Sequence, residues 1–165
     1  ASLDLTKTDE IINVIRDLDY DVTIIDTSSD LSEKNISLIS AVDDLLYVTT
    51  TDIAANATLL AMMELVETLN RPLQNRYLIV NHYNETLNFP IVELEQILSM
   101  DVSAVIPDKY EQIQGYANRG IVVSERQALK INRYYRQVAH LIQPIFTDKE
   151  LGKRKKLLSV GGKRA

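Results

Sequence analysis

Between residues 20 and 27 the chain reads Tyr-Asp-Val-Thr-Ile-Ile-Asp-Thr, a short β-branched run that stops on a carboxylate. Apolar residues at Ile11, Ile12, Ile15 and Leu18 precede it at helical spacing, and the polar loop Ser28-Ser29-Asp30 follows. A run this short, without strict alternation, predicts a strand covered on both faces, as in a parallel sheet. In such sheets ligands bind beyond the carboxyl ends of the strands, where Asp26 stands. An acid at that position holds Mg²⁺ beside a triphosphate in nucleotide-binding proteins; by itself Asp26 equally reads as the first residue of a turn.

The rest of the chain repeats this grammar. Thr6 is placed to cap a first helix, with Asp9 and Glu10 in its first turn. Residues 33–41 read as a short helix, and 45–50 as a second strand rich in β-formers. Thr51 or Asp52 caps a long helix to about Asn70, ended by Pro72, with Leu59, Met62, Met63, Val66 and Leu69 on its apolar face. The two methionines read as core packing.

Tyr77–Val80 is a third strand closing on Asn81, and Pro90 opens a helix presenting Ile91, Leu94, Ile97 and Leu98. Residues 102–106 form a fourth strand stopped by Pro107. A short helix carrying Tyr110, Ile113 and Ala117 ends at Gly120. Ser124 with Gln127 makes a capping box for a last helix that Pro144 weakens. Every crossover contains a helix and no strand pair is joined by a two-residue turn. The expected architecture is α/β: a parallel sheet with right-handed crossovers and helices on both faces, in three layers.

Composition excludes several classes of function. The chain has 165 residues and no cysteine, so disulfides and thiolate metal sites are out. His82 and His140 are too few and too distant in sequence for a histidine metal site. No apolar run approaches the ~20 residues a membrane helix needs, and no signal peptide is visible, so a cytoplasmic location is expected. Net charge is −5, but the last fifteen residues hold six basic side chains and no acid, leaving −11 on the other 150. An acidic body argues against a nucleic-acid surface. We expect an α/β domain over residues 1–147 and a basic flexible tail over 148–165, able to touch an anionic membrane. The chain opens on Ala1, directly before a helix, which fits a piece of something longer.

Three polar loops leave strand ends and would converge on one sheet edge: Asp26–Asp30, Asn81–Asn84 and Pro107–Asp108. Asn81 both donates and accepts, which suits a purine edge, but it also reads as a residue that merely ends a strand. Asp108 also reads as a helix cap, and His82 as an exposed loop residue. No Ser-His-Asp or Cys-His arrangement is evident.

As a set, these segments resemble the MinD/ParA family of deviant P-loop ATPases. Residues 20–27 are similar to its Walker B segment, and Ala41–Thr49 to its following "AD"-apolar-"T" strand. Tyr77–Asn81 is similar to its strand ending in an adenine-contacting Asn, and Val105–Asp108 and Tyr116–Ile121 to its late "IP-D" and "A-N-x-G" segments. The resemblance covers residues 5–145, and its nearest branch is the CpaE/TadZ type, linked to pilus assembly and polar positioning. It implies ATP and Mg as cofactors, Asp26 on the metal, and Asn81, Pro107 and Asp108 at the adenine. It also implies homodimerisation and partners in pilus or secretion machinery. Two departures stand out. The phosphate-gripping Walker A loop has no counterpart here, so this chain is expected neither to hydrolyse ATP nor to bind it tightly. Ser28-Ser29-Asp30 replaces the family's Pro- and Gly-containing loop, placing a further acid near a triphosphate; this favours the alternative of a non-enzymatic localisation scaffold with a degenerate site.

Overall fold

The computed structural model describes residues 5–18, 20–69, 73, 75–121 and 130–142. Pro72, the Ser124/Gln127 capping box, Pro144 and the basic tail lie outside the described residues.

Helix α1 (Leu5–Arg16) comes first and takes in Thr6, which therefore does not cap it. Helix α2 (Glu33–Ala41) is capped by Ser32, whose side chain accepts from the Asn35 amide. Strand β1 (Asp44–Thr49) leads to helix α3 (Ile53–Thr68), where Asp52 accepts from the Ala55 amide at 3.0 Å. This satisfies one of the donors that every helix leaves open at its start. Strand β2 (Asn75–Tyr83), helix α4 (Ile91–Leu98), strand β3 (Val102–Pro107), helix α5 (Tyr110–Ala117) and helix α6 (Asn132–Ile142) complete the order. Gly120 follows α5 at φ +66°, the left-handed conformation expected of a glycine just past a helix.

The sheet is parallel, three-stranded and ordered β1-β2-β3. Alternation along the strands sorts two cores onto its faces. Tyr47, Leu78 and Val80 pack with Leu59 of α3 and with Leu94 and Leu98 of α4. Ile79, Ala104 and Ile106 pack with Ile131, against Ile113 of α5 and Val138 and Leu141 of α6. Leu78, Val80 and Leu94 are wholly buried, each contributing about 1.5–3 kcal/mol. The three-layer α/β expectation therefore holds.

The expected strand over residues 20–27 does not. That segment lies outside the hydrogen-bonded sheet, and β1 stands at the sheet edge. Extended backbone becomes a strand only when a neighbour supplies its ladder bonds, and β-branched composition cannot supply the neighbour. Tyr20 and Ile24 are left 69% and 79% exposed.

Two irregularities shape the β2–β3 ladder. Leu78 pairs with Val102 but Ile79 pairs with Ala104, leaving Ser103 as an extra residue in β3. The Ser103 hydroxyl accepts the Leu78 amide at 3.2 Å, so the bulge leaves no orphan donor there. Farther on, Val80 pairs with Val105 and Tyr83 with Pro107, so β2 carries the extra residue across Asn81-His82. Pairing thus continues past Asn81 instead of stopping there as expected. Glu95 of α4 accepts the Val102 amide at 2.8 Å and fixes the entry to β3.

Candidate functional site at the carboxyl ends of the strands

Because the strands are parallel, Thr49, Tyr83 and Pro107 end on one edge of the sheet. The bulge in β2 builds the best-defined part of that edge. His82 sits at φ +55°, a left-handed conformation that costs a non-glycine residue about 1–2 kcal/mol. Its amide donates to the Asn81 side-chain oxygen at 3.0 Å. That bond fixes the Asn81 amide, leaving its NH₂ group to donate elsewhere. The Asp108 amide donates to the Tyr83 carbonyl at 2.9 Å, extending the contact between the two strand ends by one residue.

Asp108 Oδ1 accepts the Tyr110 amide at 3.0 Å and lies 3.5 Å from His82 Nδ1. The Tyr110 amide, with a smaller contribution from His82, holds the Asp108 carboxyl below the usual carboxylate range. The His82 and Tyr110 rings are 6.4 Å apart at 49°. The structure therefore places Asn81, Pro107 and Asp108 near one another and adds His82, which the sequence left as an exposed loop residue. The bulge that recruits His82 has no signature in sequence alternation.

Asp26 is placed apart from these three. It lines a groove of about 970 Å³ between residues 20–29 and the open edge of β1, together with Asp43, Asp44 and Thr49. With neighbouring strands ~4.8 Å apart, β1 and the groove separate it from the Asn81 end of β2. Asp26 is exposed, and among the described residues no group of three or more His, Cys, Asp or Glu side chains is arranged to hold a metal. Mg²⁺ in nucleotide sites leans on one or two carboxylates plus phosphate oxygens and water, so one exposed carboxylate fits the protein's share of such a site. The phosphates themselves find no matching residues. Among the described residues no glycine-rich loop faces this edge, and Arg16, the one guanidinium they contribute to the groove, donates to the Ala41 carbonyl at 2.6 Å. Among the described residues the metal side offers one exposed carboxylate, and no phosphate cradle accompanies it.

Asp30, expected from the sequence beside a triphosphate, is held by hydrogen bonds from its own loop. Its carboxylate accepts from Ser28 Oγ at 2.9 Å and from the Ser32 amide at 2.9 Å. Asn35, almost fully buried, donates to the Ser28 and Asp30 carbonyls, both at 2.9 Å. The Ser32 bonds, ahead of the Ser28 hydroxyl, lower the Asp30 pKa. The acid is a brace for residues 28–32. Sequence reasoning missed Asn35, and also Asn56, whose side-chain oxygen accepts the buried Thr49 hydroxyl at 2.8 Å and ties the end of β1 to α3. An Asn three residues after a helix-capping Ser, and another four after a capping Asp, were the only signals.

The fold defines a class: parallel α/β, of the type built by MinD/ParA P-loop ATPases. MinD cell division protein from Aquifex aeolicus superposes with a TM-score of 0.74 at 16% identity, over 88% of this chain and 63% of that one. MinD from Pyrococcus horikoshii OT3, solved with Mg-ADP, gives 0.70 at 18% identity, over 85% and 57%. A ParA family ATPase from Chlorobium tepidum TLS gives 0.69 at 17%, over 82% and 56%. The chain thus spans about 60% of the length of these neighbours. No protein-family model matches the sequence, and no curated protein matches it. No described helix is long and apolar enough to cross a membrane.

Proposed function

We propose that this chain is the nucleotide-base and metal-side portion of a MinD/ParA-like positioning ATPase that serves a pilus or secretion machine, of the CpaE/TadZ type. The observation that carries the reading is the Asn81–His82 bulge, which fixes an amide beside Pro107 and Asp108 at the carboxyl end of a parallel sheet. Asn81, Pro107 and Asp108 would border the adenine, and Asp26 would hold Mg²⁺ through water. The Pyrococcus neighbour was solved with Mg-ADP, which supports that ligand class for the fold. In this reading the working protein is a homodimer in the cytoplasm, at a pole or against a membrane. The basic tail, with six cationic side chains after residue 150, would contribute any anionic-lipid contact.

Phosphoryl transfer rests on positioning and on charge placed at the phosphates. With no phosphate cradle among the described residues, this chain alone should bind Mg-ATP weakly and turn over none. Calorimetric titration tests this: tight, Mg²⁺-dependent binding by the 165-residue chain would sink the half-site reading. In a longer protein that supplies the phosphate loop, Asp26→Ala should weaken Mg²⁺-dependent binding without unfolding the domain, because Asp26 is exposed. Unchanged affinity and turnover there would remove Asp26 from the site.

A second reading, a scaffold that kept the fold and lost turnover, draws on the Ser28–Asp30 loop. Its polar groups are consumed by Asn35 and Ser32 instead of facing the sheet edge. A longer protein that binds Mg-ATP tightly yet shows no hydrolysis would favour it.

A further inference from the structure

The two helix layers carry opposite charge. Helices α3 and α4, packed on one face of the sheet, hold Glu64, Glu67, Glu93 and Glu95 and no Lys or Arg. Glu67 pairs with Arg76 and Glu95 accepts the Val102 amide, so Glu64 and Glu93 are the carboxylates turned outward. Helices α5 and α6, on the other face, hold Arg133, Arg136 and His140 against the single acid Glu111. Lys109, Arg119 and Lys130, all exposed, flank those two helices and add to the cationic side.

Each layer presents an outward stripe. On α4, Val92, Glu93, Gln96 and Ile97 are all exposed, because Leu94 and Leu98 turn the opposite side into the core. Val92 and Ile97 are left 60% and 53% exposed beside Glu93. On α6, Val138 and Leu141 pack toward the sheet, and Arg133, Gln137 and His140, at i, i+4 and i+7, line the far side. Arg133 is already ordered: its guanidinium lies 4.6 Å from the Tyr134 ring centre and donates to that residue's hydroxyl. A cation held in this way loses less freedom on meeting a carboxylate than a loose lysine does.

The two stripes lie on opposite faces of one sheet. A chain cannot pair them within itself, and a two-fold dimer cannot pair both at once. A second copy in head-to-tail orientation can. We propose that the α6 face of this chain binds the α4 face of a second copy, with Arg133 meeting Glu93 and Val92 and Ile97 covering the stem of the arginine. Repetition of the contact gives linear oligomers, each open at both ends. The strand-end edge takes no part in it, so the contact stands whether or not that edge binds a nucleotide.

Sedimentation velocity of the full 165-residue chain tests this. Association should rise with protein concentration in about 50 mM NaCl and weaken at least tenfold in about 500 mM NaCl, where exposed charges are screened. Arg133→Glu and Glu93→Arg change exposed side chains, so the fold should survive, which a thermal melt checks. Gln137→Glu, which leaves Arg133 on its ring, is a second variant of the same face. Each should weaken self-association at least tenfold. Mixing Arg133→Glu chains with Glu93→Arg chains should restore it, because each then meets the opposite charge on the other. A parent chain that stays monomeric at millimolar concentration in the dilute salt would overturn the proposal, as would association that salt leaves unchanged. So would Arg133→Glu and Gln137→Glu chains that associate as well as the parent, the result expected if the basic tail were what met the acidic layer. A mixture no more associated than either variant alone would do the same.

Discussion

Tyr47 offers the sharpest test of the core. It is 5% exposed, packed among Leu59, Leu78 and Leu94, and its hydroxyl is fully buried with no hydrogen-bond partner among the described residues. A buried polar group without a partner costs about 1–3 kcal/mol, whereas the ring itself is worth keeping. Tyr47→Phe removes only the offending atom, so it should stabilise the domain by about 1 kcal/mol or more, allowing for the contacts the oxygen makes. At this chain length that corresponds to a rise in Tm of about 2–4 °C per kcal/mol. The effect should grow in alkali. Burial raises the Tyr47 pKa above its ordinary 10.0, so the folded state binds the phenolic proton more tightly than the unfolded chain does. Stability tied to that proton is complete below about pH 10 and falls as pH rises from there toward the folded-state pKa. The Phe variant lacks this loss. Urea melts of both proteins at pH 7.5 and again above pH 10 would measure each effect. A Phe variant less stable than the parent at pH 7.5, or one with the same alkaline decline, would refute the reasoning.

Other perturbations probe the strand ends. Thr49→Val breaks the buried bond to Asn56 and strands its oxygen, so chemical denaturation should show a loss of about 1–3 kcal/mol. Asn35→Ala removes the donor that joins Ser28 to Asp30 and should cost about 2 kcal/mol, with faster amide exchange at residues 28–32. Because the Asp30 and Asp108 pKa values are lowered on folding, both support the fold above about pH 4 and lose that support as pH falls through their folded values; acid titration of the melting temperature should show the decline begin there. His82→Gly relieves the left-handed strain at φ +55° and should stabilise by about 1 kcal/mol while loosening Asn81, visible as a broadened side-chain amide signal in NMR.

Much of this architecture was readable from residues because it is local. Asp52 before a long apolar face, Gly120 after a short helix and the β-formers of 45–49 each act within a few residues of themselves. Asn81, Pro107 and Asp108 were read as strand-end residues, and parallel topology gathers them near one edge even though β2 runs on to Tyr83. What escaped depends on partners far away in sequence. Residues 20–27 have the composition of a strand and lack the neighbour. Asp30 carries the right charge, but Asn35 and Ser32 claim it. His82 acquires its place from a register shift against β3, and no window around residue 82 records what β3 does.

Ser103 has a wider reach than its single hydrogen bond suggests. If β3 ran without its extra residue, Ser103 would stand opposite Ile79, and a hydroxyl would replace the Ala104 methyl in the core shared with Ile106 and Ile131. The surplus in β3 is then matched by the surplus at Asn81-His82, so that Tyr83 still meets Pro107. The two strands cover the same span with the same number of residues, but only because each lengthens once. Closing the bulge with Ser103 retained would therefore not stay local: every later residue of β3 would slip by one, carrying Pro107 and Asp108 out of step with Asn81 at the far end of the sheet. The geometry of the strand-end edge is decided in part at the place where β3 begins.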